Sequence, residues 1–177
     1  EEQQHILQLV LQGKNVIVDA VAGTGKTTLV LGIAAALKEQ KILQVTYNAA
    51  LRKDVQQRVA EEELPNLQVH TYHSLAKQHY LDVGYTDKEI RKALMNQVEP
   101  HNKIRDIDVL VVDECQDMTH LYFQLLLKYL YDMNKRVQLI VLGDYKQGLY
   151  EFKGADTRFL TMAREFWRHS GFLRNPE

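Results

Sequence analysis

The sequence predicts an α/β domain: a parallel sheet flanked by helices, interrupted by a small helical insertion. Three observations carry this. Five short runs are β-rich and almost continuously apolar, as strands covered on both faces are. Segments with apolar residues at helical spacing lie between most of them. The first run leads into a glycine-rich turn that opens a helix, which starts a strand–helix–strand series with right-handed crossovers.

The strands are read at NVIVDA (15–20), ILQVTY (42–47), LQVHT (67–71), DVLVVD (108–113) and VQLIVLGD (137–144). The helices are read at 27–40 (TTLVLGIAAALKEQ), 51–63 (LRKDVQQRVAEEE) and 119–133 (THLYFQLLLKYLYDM). Residues 75–107 break the rhythm with mostly helical pieces, SLAKQHYLDV and DKEIRKALMNQV, and the turn signals Gly84 and Pro100. They are expected to form the insertion. No further strand is expected after residue 144, and FLTMAREFWRHSGFLRNPE (159–177) reads as a closing helix.

Composition narrows the function classes. A chain of 177 residues, 45% apolar and 25% charged, has the profile of one globular domain. No window approaches a membrane span, and EEQQ at the start is the wrong charge for a secretion signal. The single cysteine, Cys115, suits a reducing compartment, so an intracellular place is expected: the cytoplasm of a prokaryote or the nucleus of a eukaryote. A net charge of −1 confines any nucleic-acid contact to a local groove.

The chemistry begins in AVAGTGKTT (20–28). It fits the P-loop pattern, with Ala20 at the first glycine slot. Gly23 and Gly25 allow positive φ, so backbone N–H groups can converge on phosphate oxygens. The phosphate-cradling set is Ala22, Gly23, Thr24, Gly25, Lys26, Thr27 and Thr28. Lys26 is expected on the β and γ phosphates and Thr27 on Mg²⁺. A glycine-rich turn without a ligand is the bland alternative, and strand before, helix after and GKT in register weigh against it.

VDECQD (112–117) ends the fourth strand with adjacent carboxylates. Asp113 is assigned to Mg²⁺ and Glu114 as general base for an attacking water. A solvated strand end is the alternative when the pair is taken alone. His70 and His73 have the spacing of a metal pair, but no further Cys or His completes a site. Cys115 is read as a small buried residue rather than a nucleophile. Thr71 and Ser74 also have the look of a helix N-cap.

Six stretches in order resemble the first, RecA-like motor domain of superfamily 1A helicases of the UvrD/Rep/PcrA type, loosely nearest the F-box DNA helicase branch. EEQQHIL resembles the glutamine motif, AVAGTGKTT motif I, VTYNAALRKDV motif Ia, HTYHSLA motif Ib, VDECQD motif II and GDYKQGLYEFKGA motif III. The resemblance implies a RecA-like P-loop NTPase fold over 1–177, with 75–107 as the insertion and a second RecA-like motor domain outside these residues. It implies ATP and Mg²⁺ as cofactors, and single-stranded DNA as partner of a monomeric translocase. RNA stays open, because stacking and phosphate contacts do not read the 2′-OH. It places Gln3, with Gln4 beside it, on adenine and has Gln147 sense the γ phosphate. Asn48, Thr71, His73, Tyr150, Phe152 and Lys153 fall on DNA, Tyr150 and Phe152 by stacking on bases. Phe152 stands where the family has Trp, and Lys153 where it has Arg. The rival readings are a nucleotide-gated binding module that moves nothing and a small-molecule kinase, for which no lid or acceptor pocket is legible.

Overall fold

The computed structural model describes residues 2–19, 25–144 and 163–174. Its strands are β1 (Val16–Asp19), β2 (Ile42–Thr46), β3 (Leu67–Thr71), β4 (Val109–Val112) and β5 (Gln138–Gly143). They form one sheet in the order β1-β5-β4-β2-β3, and every neighbouring pair is parallel. All five strands match the expected runs to within a residue or so at each end.

The period of two along each strand sorts side chains between two cores. Val109 and Val111 of β4 enter one, while Leu110 and Val112 enter the other. The first core is closed by α1 (Glu2–Leu11), α2 (Lys26–Ala36) and α3 (Ala49–Glu61). The second is closed by α4 (Tyr72–His79), α5 (Asp87–Met95), α6 (His120–Met133) and α7 (Ala163–Arg168). Helix α2 carries apolar residues almost all round, and Leu29, Val30, Leu31, Ile33 and Ala34 are buried. Each of the buried Leu, Val and Ile side chains contributes about 1.5–3 kcal/mol by leaving water. The two helices of the 75–107 stretch pack into the same core as α6, through Leu75, Ile90 and Ala93.

Two differences from the sequence reading stand out. The first stretch, EQQHILQLVL, is a helix, α1, which turns Val10 into the core. The chain also does pair again after β5: Leu173 forms a parallel bridge with Val137, with Val137 N–H donating to Phe172 O at 2.8 Å. No helix among the described residues is long and apolar enough to cross a membrane.

A parallel sheet brings all carboxyl ends of its strands to one edge, where the following helices begin. β1 and β4, which carry the glycine-rich turn and the paired carboxylates, are not neighbours, because β5 lies between them. Two amides, the buried Gln138 and the half-buried Asn66, hold the helices in register behind that edge. Gln138 Nε2 donates to Val10 O at 2.9 Å and Lys14 O at 2.8 Å, fixing the end of α1. Asn66 Nδ2 lies 3.0, 3.0 and 3.1 Å from the carbonyls of Ala34, Leu37 and Gln40, which end α2.

Asn66→Leu should therefore strip α2 of its carboxyl-end cap and cost about 1–3 kcal/mol. Urea unfolding followed by circular dichroism measures it; a midpoint equal to that of the parent protein would show that water replaces the amide at no cost.

Candidate nucleotide site

Helix α2 starts at Lys26, and its cap residue Gly25 adopts φ 78° and ψ 17°, the left-handed region that favours glycine. A Cβ there would also lie 2.7 Å from Gln3 Nε2. Among the described residues no side chain caps α2, and the positive end of the helix suits an anion. Gln3, on α1, donates to Gly25 O at 3.4 Å, which places it against the turn.

Across β5, Asp113 follows β4 and is 3% exposed. Its Oδ1 stands 3.6 Å from Lys26 Nζ and accepts the Glu114 N–H at 2.8 Å. Its Oδ2 accepts from Gln44 Nε2 at 3.2 Å. Glu114 takes φ 51° and ψ 45°, a left-handed conformation that costs a non-glycine residue about 1 kcal/mol or more. That bend starts the 3₁₀ turn Cys115–Asp117 and swings the Glu114 carboxylate out of the strand direction. Cys115 is fully buried, and burial pushes its thiol up to about 12, which removes it as a nucleophile. Gln116 Oε1 accepts the Asp144 N–H at 2.9 Å, tying this turn to the end of β5.

Burial raises the Asp113 carboxyl above the ordinary range, with the nearby Lys26 charge as the largest opposing influence. Burial also raises Glu114, and the Asp113 charge adds to it. A cavity of about 330 Å³ opens between Gly25, Lys26, Thr27, Thr28, Asp113 and Glu114, with Leu51 and Arg58 of α3 also on its wall. A lysine at an uncapped helix start, a hydroxyl and a buried carboxylate fit a phosphate with a hard, oxygen-liganded cation. A second hollow of about 250 Å³, between β1 and α7, is lined by Ile17, Leu139 and Trp167 and, among the described residues, by no carboxylate.

The other expected residues divide. Asn48 reaches the same edge and caps α3, its Oδ1 accepting from Ala50 N at 2.8 Å. Thr71 caps α4: its Oγ1 accepts from Ser74 N at 3.0 Å, and Ser74 Oγ accepts from Thr71 N at 3.0 Å. Of the two roles the sequence left open for Thr71, the cap is the one this geometry displays. His73 Nε2 lies 2.7 Å from Asp87 Oδ1, which also accepts from Tyr122 OH at 2.8 Å. The Tyr122 ring stacks on Tyr72, with centroids 4.6 Å apart, and Tyr47 tilts against it at 6.0 Å. His70 and His73 thus point to different partners, Ser74 and Asp87. No group of three or more His, Cys, Asp and Glu able to hold a metal occurs among the described residues. Ala22, Gly23, Thr24, Gln147, Tyr150, Phe152 and Lys153 lie outside the described residues.

Sequence reasoning missed Gln44, Gln116 and the Tyr122–Asp87–His73 set. A signal existed for Gln44, a polar residue inside the apolar run ILQVT. None existed for Asp87, whose partners lie 14 and 35 positions away.

A family model described as an AAA domain matches residues 3–153. No curated protein matches the sequence. Among solved structures, unliganded Pif1 from Bacteroides sp is similar at 18% identity and a TM-score of 0.51, over 92% of this chain and 35% of that one. Bacteroides sp Pif1 in complex with ADP-AlF4 is similar at 19% identity and a TM-score of 0.48, over 81% of this chain and 31% of that one. The chain thus spans about a third of the length of those Pif1 chains. The first of these likenesses bears out the expected fold, a RecA-like parallel sheet flanked by helices.

One pH effect follows from the edge itself. Burial, then the Arg52 charge and then His79, lowers His70 from 6.5 to about 4. Between those values the unfolded chain binds a proton that the folded chain does not. Stability is therefore complete above pH 6.5 and falls as pH drops towards 4, by on the order of 2 kcal/mol after discounting for the solvent-facing part of the ring. Urea midpoints measured from pH 4 to 7 should show this slope, and His70→Gln should flatten it; an unchanged slope would assign the effect to other groups.

Proposed function

This chain belongs to the AAA domain family, and from that membership we propose that it is the ATP-binding motor domain of a superfamily 1 helicase moving on single-stranded DNA. The observation that carries the reading is Lys26 Nζ, at the start of α2, 3.6 Å from the buried Asp113 across a cavity that Glu114 also lines. Such a pairing suits phosphoryl transfer, where positioning and electrostatics do most of the work.

Lys26 and the first N–H groups of α2 bind the β and γ phosphates of ATP. Asp113 and the Thr27 hydroxyl would hold Mg²⁺, which would supply neutralising charge to the phosphates. Glu114 orients a water for in-line attack and takes its proton as the bond to the γ phosphorus forms and the bond to the ADP oxygen breaks. Its raised proton affinity brings it nearer the working range of a base. Gln3 lies beside the turn and contacts the adenine. The Gln147–Lys153 stretch faces DNA, with Tyr150 and Phe152 stacking on bases and Gln147 reporting the γ phosphate. A second motor domain, in the rest of a longer protein, supplies the transition-state arginine.

Lys26→Ala should weaken ATP binding, whereas Glu114→Gln should keep ATP bound and slow hydrolysis roughly 10²–10⁴-fold. The assay is phosphate release by the full-length protein with and without single-stranded DNA. Near-parent turnover in the Glu114 variant removes it as the base. Turnover that ignores DNA leaves a nucleotide-gated binding module, and stimulation by RNA alone reassigns the strand.

Phe152→Ala should weaken single-stranded DNA binding and spare ATP affinity. Gln147→Ala should leave each ligand binding alone but remove their coupling, typically about 1–3 kcal/mol. DNA affinity measured with and without a non-hydrolysable ATP analogue decides this; parent-like coupling in the Gln147 variant would show that the link runs elsewhere.

A further inference from the structure

Gln44 sits where an aliphatic residue would do. β2 lies between β3 and β4 and is buried along its whole length, and Gln44 at its centre is 1% exposed. A buried primary amide is costly unless bonded. This one is only half satisfied: Nε2 donates to Asp113 Oδ2 at 3.2 Å, while Oε1 has no hydrogen-bond partner among the described residues. The amide therefore does not earn its place through its own hydrogen bonding.

The register explains what it reaches. Gln44 stands opposite Val111 of β4, two residues before Asp113 and so on the same face of the sheet. From below, its side chain extends up that face to one carboxylate oxygen. The other oxygen, Oδ1, is held by the Glu114 N–H and turned towards Lys26. A carboxylate at a strand end can rotate about its Cβ–Cγ bond; a donor on Oδ2 and a donor on Oδ1 together stop that rotation.

We propose that Gln44 is a positioning residue that sets the orientation of the Asp113 carboxylate, so that Oδ1 is presented to the nucleotide-bound cation. The inference rests on the nucleotide and Mg²⁺ reading above. Gln44 does not touch the ligands; it acts through Asp113, in the way outer-shell partners orient metal ligands.

The test uses the full-length protein and a fluorescent β,γ-imido analogue of ATP, titrated at a series of MgCl₂ concentrations and without Mg²⁺. Gln44→Met keeps the length and loses the donor, and Gln44→Asn keeps the amide but cannot reach. Both should raise the MgCl₂ concentration for half-maximal tightening about 10–100-fold, while nucleotide affinity without Mg²⁺ stays within about twofold of the parent protein. Thermal melting establishes that each variant is folded, and either one alone decides the matter. An unchanged Mg²⁺ midpoint overturns the proposal, as does an equal loss with and without Mg²⁺, which marks Gln44 as structural filling. A parent protein whose nucleotide binding ignores Mg²⁺ overturns the nucleotide–metal reading itself, a result visible before any variant is made.

Discussion

The edge of this sheet is organised by one electrostatic constraint: a carboxylate, Asp113, held almost out of water at the end of a central strand. A lone buried carboxylate is too costly to keep charged, and burial does raise its proton affinity. What offsets this is a set of neighbours drawn from distant parts of the chain. Lys26 comes from the start of α2, Gln44 from the middle of β2, and the Glu114 N–H from the bend that follows. None of them could be there unless β1, β5, β4 and β2 ran parallel and ended together. The lysine at 3.6 Å is close enough to attract but is no tight pair, so the site is compensated incompletely by the protein alone.

Two left-handed backbone conformations meet at the same place, and one of them, at Glu114, is held against its preference. Glu114 is left-handed without being glycine, and Gly25 is left-handed where any larger residue would meet Gln3. Strain of this kind persists when the surroundings over-determine it. Here the buried turn Cys115–Asp117, anchored to the end of β5 through Gln116, supplies that determination. The bend matters to the chemistry because it separates adjacent carboxylates: Asp113 stays in the core, and Glu114 turns to the cavity wall.

The legible part of the molecule was the part written locally. Apolar runs such as VLVV and QLIVLG identify themselves as central strands, and GKT after a strand identifies a helix start. The order of the strands in the sheet is not local, and that β5 separates the strand before the glycine-rich stretch from the carboxylates could not be read from spacing. Caps were half legible: Thr71 and Ser74 satisfied the cap pattern, yet the same residues also fitted a contact with DNA. Gln44 showed only as a polar residue inside an apolar run, and the roles of Gln44 and Gln116 depend on partners 69 and 28 positions away. The amino-terminal helix went unassigned because its glutamines read first as a motif.

The edge where Asn48 and His73 stand is built differently from the one around Asp113, and packing joins the two. Tyr72 and Tyr122 stack within the core, so the start of α4 and the start of α6 are joined by a contact that solvent does not weaken. Outside that stack, Asp87 gathers His73 and the Tyr122 hydroxyl, but half of its side chain is exposed and water competes for the contact. The aromatic pair is therefore the firm joint and the acid–histidine pair the yielding one. Glu114 and the Cys115–Asp117 turn lead directly into α6, whose cap is Thr119. A path of packed contacts thus runs from that turn along α6 to Tyr122 and, through the stack, to the start of α4 that Thr71 caps. The path consists of packed rings and a short helical lead, and it needs no flexible element to reach the edge where Asn48 and His73 stand.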